Sequence, residues 1–270
     1  MVIRRIVTGV LLAVFVGVVI WFGEPWFTIV ACLISALATF EFYRIARNDH
    51  VQPLTYLGIA FSILFIINAH SQSYLTLPIL LAAITVIPLT WVIFRKKKDN
   101  SFISWSWTVA GILYIGLMLS YYVSIRSLND GRWWAYLILA CTALCDASAY
   151  AVGSTLGKHA LASSVSPGKT WEGAFGGMAA SILFAVILGI CFQLPVHWWQ
   201  LMVFGIIIGF FSQIGDLVES LLKRNLGTKD SGRLLPGHGG ILDRIDSHLI
   251  VAPITYYLII LANNQGWFLR

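Results

Sequence analysis

The chain has 270 residues, of which 58% are apolar and only 11% charged, with a formal net charge of +6 and a mean hydropathy of +0.80. Soluble domains carry roughly 25% charged residues, so a water-soluble globular enzyme is excluded. Runs of about 17–22 apolar residues point instead to an all-α, polytopic integral membrane protein.

Taken in chain order, apolar windows of about 20 residues give about nine spans: 6–22, 26–43, 54–69, 74–94, 105–125, 133–152, 173–194, 198–222 and 247–262. The first follows Arg4 and Arg5 in the manner of a signal peptide. No small-residue cleavage site follows it and a second run starts at Trp26, so it reads as a retained span. The turn at Glu24-Pro25 is short enough to make the first two helices a hairpin. The fourth span carries Pro78 and Pro88 and is expected to kink. These spans divide into an N-terminal region, 1–130, of five helices and a C-terminal region, 131–270, of four helices with polar loops.

Orientation follows from the basic residues. With the N-terminus in the cytoplasm, all 18 lysines and arginines except Arg126, Arg132 and Arg270 fall on the cytoplasmic side, the bias that orients membrane proteins. The run Arg95-Lys96-Lys97-Lys98-Asp99 reads as part of that signal, facing lipid headgroups. The positive charge therefore needs no nucleic-acid partner. The expected location is the inner (cytoplasmic) membrane, with the working loops facing the cytoplasm. Tryptophans gather at span ends (Trp21, Trp26, Trp105, Trp107, Trp133, Trp134, Trp198, Trp199), as interfacial anchors do. Cys32, Cys141, Cys145 and Cys191 all lie in apolar runs without zinc spacing and read as ordinary buried thiols.

Two long polar interruptions remain, 153–172 and 223–246, and catalysis is expected there. Six acids border them: Asp146, Glu172, Asp216, Glu219, Asp243 and Asp246. A carboxylate near hydrocarbon is costly, so such residues face a polar cavity and have a partner. Gly205, Gly209, Ser212 and Asp216 recur at helical spacing on one stripe. Thr142, Asp146, Ala149 and Gly153 do the same, as do Gly173, Gly177 and Ala180. Small residues on a stripe let another helix approach, so the three helices can converge with Asp146 and Asp216 inside. Asp243 and Asp246 are three apart and project from one side of a first helical turn. An acidic cluster lacking Cys or His ligands suits a hard cation such as Mg²⁺. The plainer alternative is structural ion pairing, for which Glu219 and Lys223 have the favourable i,i+4 order.

The loop 223–246 supplies Lys223, Arg224, Lys229, Arg233, His238 and Arg244 among five glycines, including Gly239 and Gly240. Glycines let backbone N–H groups turn toward an anion, and the cations grip phosphate. His238 is a candidate acid/base or phosphate ligand, or a structural part of its turn. In the other loop, Gly168-Lys169-Thr170 resembles the end of a P-loop, but position 163 is serine where that motif needs glycine. Ser166-Pro167 is instead expected to start a turn that offers Lys169 to a phosphate. Glu172 opens a helix, where its charge suits the dipole.

These residues resemble the phosphatidate cytidylyltransferases (CDP-diacylglycerol synthases). The resemblance rests on Ser220-x-x-Lys223-Arg224, Lys229-Asp230-x-Gly232 and Pro236-x-His238-Gly239-Gly240-x-x-Asp243-Arg244-x-Asp246, with Asp146-x-x-Ala149-Tyr150 and Ser166-Pro167-x-Lys169-Thr170 upstream. It covers roughly the last 130 residues of this sequence.

It implies a nucleotidyltransferase of phospholipid biosynthesis. CTP and phosphatidate would give CDP-diacylglycerol and pyrophosphate, with Mg²⁺ required and a second cation possible in principle. By that resemblance Asp216 and Asp246 hold the principal metal, with Asp146 and Asp243 nearby or on the second cation. Lys223, Arg224 and His238 act in catalysis. Ser166, Lys169, Lys229, Asp230, Arg233, Gly239, Gly240 and Arg244 bind substrate, and a homodimer is expected.

Two rival readings are a CTP-dependent polyprenol or lipid kinase, which moves the terminal phosphate, and a cation-coupled transporter. The transporter predicts acids near mid-membrane on broken helices, whereas these acids border phosphate-type loops.

Overall fold

The computed structural model describes residues 2–47, 51–73, 75–94, 100–228, 230–232 and 239–266, with the side chains of 2–8 and 10 left aside. The basic run 95–99 and Arg270 therefore lie outside the described residues.

In lipid, each backbone N–H and C=O must be satisfied within the chain, and apolar runs answer by becoming helices. The helices are α1 (Val2–Phe22), α2 (Trp26–Arg47), α3 (Thr55–Ser71), α4 (Thr76–Ile93), α5 (Ser101–Gly111) and α6 (Met118–Arg126). They continue with α7 (Gly131–Leu156), α8 (Trp171–Cys191), α9 (Trp198–Asn225) and α10 (Leu242–Asn264). A π-helical segment, Ile112–Leu117, joins α5 to α6. Among the described residues seven helical stretches are long and apolar enough to cross a membrane, Ser101–Arg126 counting as one. The apolar parts of α1 and α3, Leu11–Phe22 and Thr55–Ser71, are shorter. The protein is an all-α, multi-pass membrane protein.

Helix ends run past the apolar windows. α9 continues through Lys223 and Arg224 in its last turn, and α10 begins with Asp243 in its first turn. Both placements match the helix dipole, with cations at the C-terminal end and an acid at the N-terminal end. One local expectation is corrected: Ser166-Pro167 does not start a turn. Ser166–Thr170 is strand β2, paired antiparallel with β1 (Ala160–Ala162), with Ala160 opposite Thr170 and Ala162 opposite Ser166. Pro167 is tolerated because a two-stranded ribbon leaves a free edge where no N–H is required.

The chain divides into two compact units: Met1–Ser127 with Asn225–Ile245, and Leu128–Arg224 with Asp246–Arg270. In the first unit the fully buried Tyr43 donates its hydroxyl to the Thr108 carbonyl at 2.7 Å. Its ring fits because Gly58 and Gly111 carry no Cβ; one on Gly111 would lie 2.5 Å from the ring. Phe61, Phe65, Ile84 and Ile112 form an apolar core in the same unit.

In the second unit the small-residue stripes do what their spacing predicts. A Cβ on Gly173 would lie 2.6 Å from the Ala149 carbonyl, and one on Gly177 would lie 2.7 Å from that of Cys145, so α8 rests backbone to backbone on α7. A Cβ on Gly205 would lie 2.5 Å from Ile182 Cα, and the Ser181 hydroxyl donates to the Gly205 carbonyl at 2.9 Å, which seats α9 on α8. Small residues are the usual means of close helix association in lipid, where burial of apolar surface drives nothing.

Candidate active site

The second unit gathers acids from three helices. Asp146, on α7, accepts from the Ser212 hydroxyl of α9 at 3.0 Å and from the Ser247 hydroxyl of α10 at 3.4 Å. Asp246 Oδ1 in turn accepts the Ser247 backbone N–H at 2.8 Å. α9 and α10 can approach this closely because position 215 is glycine; a Cβ there would lie 2.7 Å from Ser247 Cα. Asp216 is near enough to Asp146 and Asp246 for the three charges to act on one another. Two cations offset that repulsion: Lys169, paired with Asp216, also acts on Asp146, and Lys223, paired with Glu219, acts on Asp246.

Lys169 arrives from the hairpin. Its Nζ lies 2.6 Å from Asp216 Oδ2, and the Ser220 hydroxyl makes a long contact of 3.5 Å to the other Asp216 oxygen. The hairpin is itself tied down. Thr170 caps α8 by accepting the Gly173 N–H at 3.2 Å. Glu172 Oε2 accepts the backbone N–H groups of Lys158 at 3.1 Å and His159 at 3.3 Å, while Oε1 lies 2.6 Å from His159 Nδ1. Glu172 thus does more than complement a dipole: it clasps the chain entering β1. Arg224, near the end of α9, donates through Nε to the Val165 carbonyl at 3.3 Å, between the two strands.

A cavity of about 200 Å³ opens at this point, lined by residues that include Asp146, Tyr150, Lys169, Thr170, Gln213 and Asp216. At roughly 30 Å³ per liquid water, it has space for a phosphate-bearing group. Gln213 is fixed at the cavity wall by its Nε2, which donates to the Ala174 and Gly209 carbonyls at 2.9 and 3.2 Å.

The other expected residues are distributed as follows. Lys223 pairs with the buried Glu219 at 2.6 Å, as the i,i+4 order anticipated. Ser166 opens β2 and is half-buried, and Asp230 is exposed. In the first unit Gly239 has φ of +79°, a backbone setting that favours glycine. Gly240 donates its N–H to Asp243 Oδ2 at 2.7 Å. Asp243 also accepts the Ser231 N–H, at 3.0 Å to the same oxygen, so its carboxylate closes a loop. Arg244 lies in the first turn of α10. Lys229, Arg233 and His238 lie outside the described residues.

Sequence reasoning passed over Ser212, Ser247 and Glu41. Ser212 entered only as a member of a small-residue stripe, and Ser247 only as the first residue of the last apolar run. Glu41 did give one, being a lone acid inside the apolar run 26–43. It is fully buried.

Among the described residues no group of three or more His, Cys, Asp or Glu side chains is arranged to hold a metal ion by itself. The donor chemistry nevertheless fits Mg²⁺, which commonly takes only one or two carboxylates and completes its shell with water and substrate phosphates.

Carboxylates from helices and a lysine from the hairpin, around one cavity of a membrane protein, suit a class that handles phosphate esters. The family is shown by comparison: a model described as "Cytidylyltransferase family" matches residues 3–262. The chain belongs to this family and is a nucleotidyltransferase of phospholipid biosynthesis. Several proteins named phosphatidate cytidylyltransferase are similar to it. That of Bacillus subtilis strain 168 is 35% identical over 265 residues, covering 96% of this chain and 97% of the relative. That of a Synechocystis strain is 31% identical over 288 residues, 96% of each. One from Staphylococcus epidermidis is 39% identical over 180 residues, 67% of this chain and 68% of its own.

Proposed function

We propose that the protein transfers the cytidylyl group of CTP to phosphatidate, giving CDP-diacylglycerol and pyrophosphate, at the cavity bordered by Asp146, Lys169 and Asp216. The observation that carries this reading is the meeting of Lys169 and Asp216 at 2.6 Å beside a phosphate-sized cavity. The name of the similar proteins supplies the substrates.

In the reaction, a phosphate oxygen of phosphatidate attacks the α-phosphorus of CTP. A new P–O bond forms, the bond from the α-phosphorus to the bridging oxygen breaks, and pyrophosphate leaves with that electron pair. No strong base is needed, since a phosphate monoester with a second pKa near 6 is already largely ionised at neutral pH. The chain's task is to bring two polyanions together in line, by neutralising charge and holding geometry. Lys169 and Arg224 meet phosphate oxygens from the hairpin side, with Ser166 at the start of β2, and Lys223 contributes from α9. Lys229, Asp230, Arg233, His238, Gly239, Gly240 and Arg244 have the substrate-handling roles that the family signature implies.

Asp216 and Asp246 would hold a Mg²⁺ ion, with Asp146 beside them and Asp243 assigned by the signature to a second cation. Such an ion supplies Lewis-acid neutralisation of phosphate charge. The substrate side faces the cytoplasm, across the inner membrane, by the distribution of basic residues.

Labelled CTP tests the reading. The purified protein with phosphatidate should release pyrophosphate and retain the α-phosphorus on the lipid. Release of CDP with the γ-phosphorus on the lipid would make it a kinase, and turnover that required a transmembrane gradient would favour transport.

A further inference from the structure

Glu41 is an acid in the C-terminal third of the apolar helix α2, and the fold gives it one purpose. It is fully buried on α2. Its Oε2 accepts the backbone N–H of Leu242, the first residue of α10, at 2.9 Å, and the Ser231 hydroxyl at 3.3 Å. The same Ser231 oxygen accepts the Asp243 N–H at 3.3 Å. The Asp243 carboxylate returns to the N–H groups of Ser231 and Gly240. Close to Glu41 on the same helix, Arg44 donates through Nη2 to the Ser231 carbonyl at 3.3 Å.

The two glycines nearest this carboxylate have a use different from cradling an anion. A Cβ on Gly232 would collide with Glu41 Oε1 and stand 3.1 Å from Gly240 Cα. A Cβ on Gly240 would collide with Glu41 Oε2 and Ser231 Oγ. Ser231-Gly232 and Gly239-Gly240 are separate in sequence but lie side by side against one buried carboxylate. The described flanks of the signature segment, 231–232 and 239–243, are thereby held together.

We propose that Glu41 is a positioning residue for nucleotidyl transfer: a carboxylate on α2 that holds the base of the signature segment closed through Ser231, Leu242 and Asp243, without touching substrate. This rests on the cytidylyltransferase reading above. Hydrogen-bond acceptance is what the geometry demands of the side chain, so glutamine can replace it in part and alanine cannot. Gly232→Ala, which leaves Glu41 in place but intrudes on its carboxylate, should act like Glu41→Ala.

The test combines steady-state kinetics per folded molecule with hydrogen–deuterium exchange of peptides spanning 231–243, on the full-length protein in detergent. Glu41→Ala and Gly232→Ala should lower kcat at least tenfold and speed exchange in 231–243, while peptides around 142–156 exchange as in the wild type. Glu41→Gln should recover most of both. Should Glu41→Ala fail to fold, Gly232→Ala carries the test alone. Wild-type kcat and exchange in the alanine variants would overturn the proposal. So would a glutamine variant as impaired as the alanine one, because charge and not acceptance would then be the requirement. The exchange readout needs no turnover, so a wild-type protein that makes no CDP-lipid would sink the functional reading and still leave the clamp to be judged.

Discussion

Lys169 Nζ stands 2.6 Å from Asp216 Oδ2, joining the hairpin that precedes α8 to the C-terminal half of α9. The pair comes from two sequence blocks about 47 positions apart and half-closes a cavity that Asp146 also lines. A lysine so placed offsets an acidic cluster in the resting site and can turn to phosphate once substrate brings its own charge.

Removing either partner should therefore damage turnover more than folding. Asp216→Asn and Lys169→Met are each expected to lower kcat by roughly 100-fold or more, the scale of losing one preorganised electrostatic contact. Both are partly exposed, so the detergent-solubilised melting temperature should move little. Activity and thermal-shift measurements on the same preparations check this.

Asp246→Asn should behave likewise, and chelation should mimic it. Treatment with EDTA is expected to abolish pyrophosphate release, and added Mg²⁺ to restore it. Full activity after exhaustive chelation would remove the metal from the account.

The glycine contacts make a stability prediction independent of chemistry. Gly205→Ala puts a methyl group 2.5 Å from Ile182 Cα, and such overpacking costs about 1–3 kcal/mol. A lowered melting temperature in detergent checks it. An unchanged one would mean that α8 and α9 do not pack as described.

Thr170 offers a milder case. It caps α8 through the Gly173 N–H, so Thr170→Ala should cost about 1 kcal/mol. Because it also lines the cavity, the KM for CTP is expected to rise as well. Stability and KM measured on one variant separate the two effects.

Much of this was legible in the sequence, for identifiable reasons. The apolar runs define the helices because lipid leaves the backbone no alternative. The stripes that carry Asp146 and Asp216 define facing sides because a small residue is informative only where another backbone approaches. The β-hairpin was not legible: its strands are three and five residues long, and Ser-Pro-Gly reads locally as a turn until a partner strand is known. Glu41 was hidden by distance. Its partners Ser231 and Leu242 lie 190 and 201 positions away, and no periodicity links an acid in one helix to the N–H groups of a remote loop. Ser247 was obscured by a helix boundary, since α10 starts five residues before the apolar run does.

The central claim is that acids from α7, α9 and α10 share one site in the second unit. The most direct measurement is short-reach thiol cross-linking in an otherwise cysteine-free protein, with cysteine at 146 and 216 in one variant and at 216 and 246 in another. Both pairs should cross-link quickly in native membranes. Failure of both pairs to react, with a control pair at Thr39 and Ser62, whose hydroxyls meet at 3.2 Å, cross-linking normally, would contradict the account.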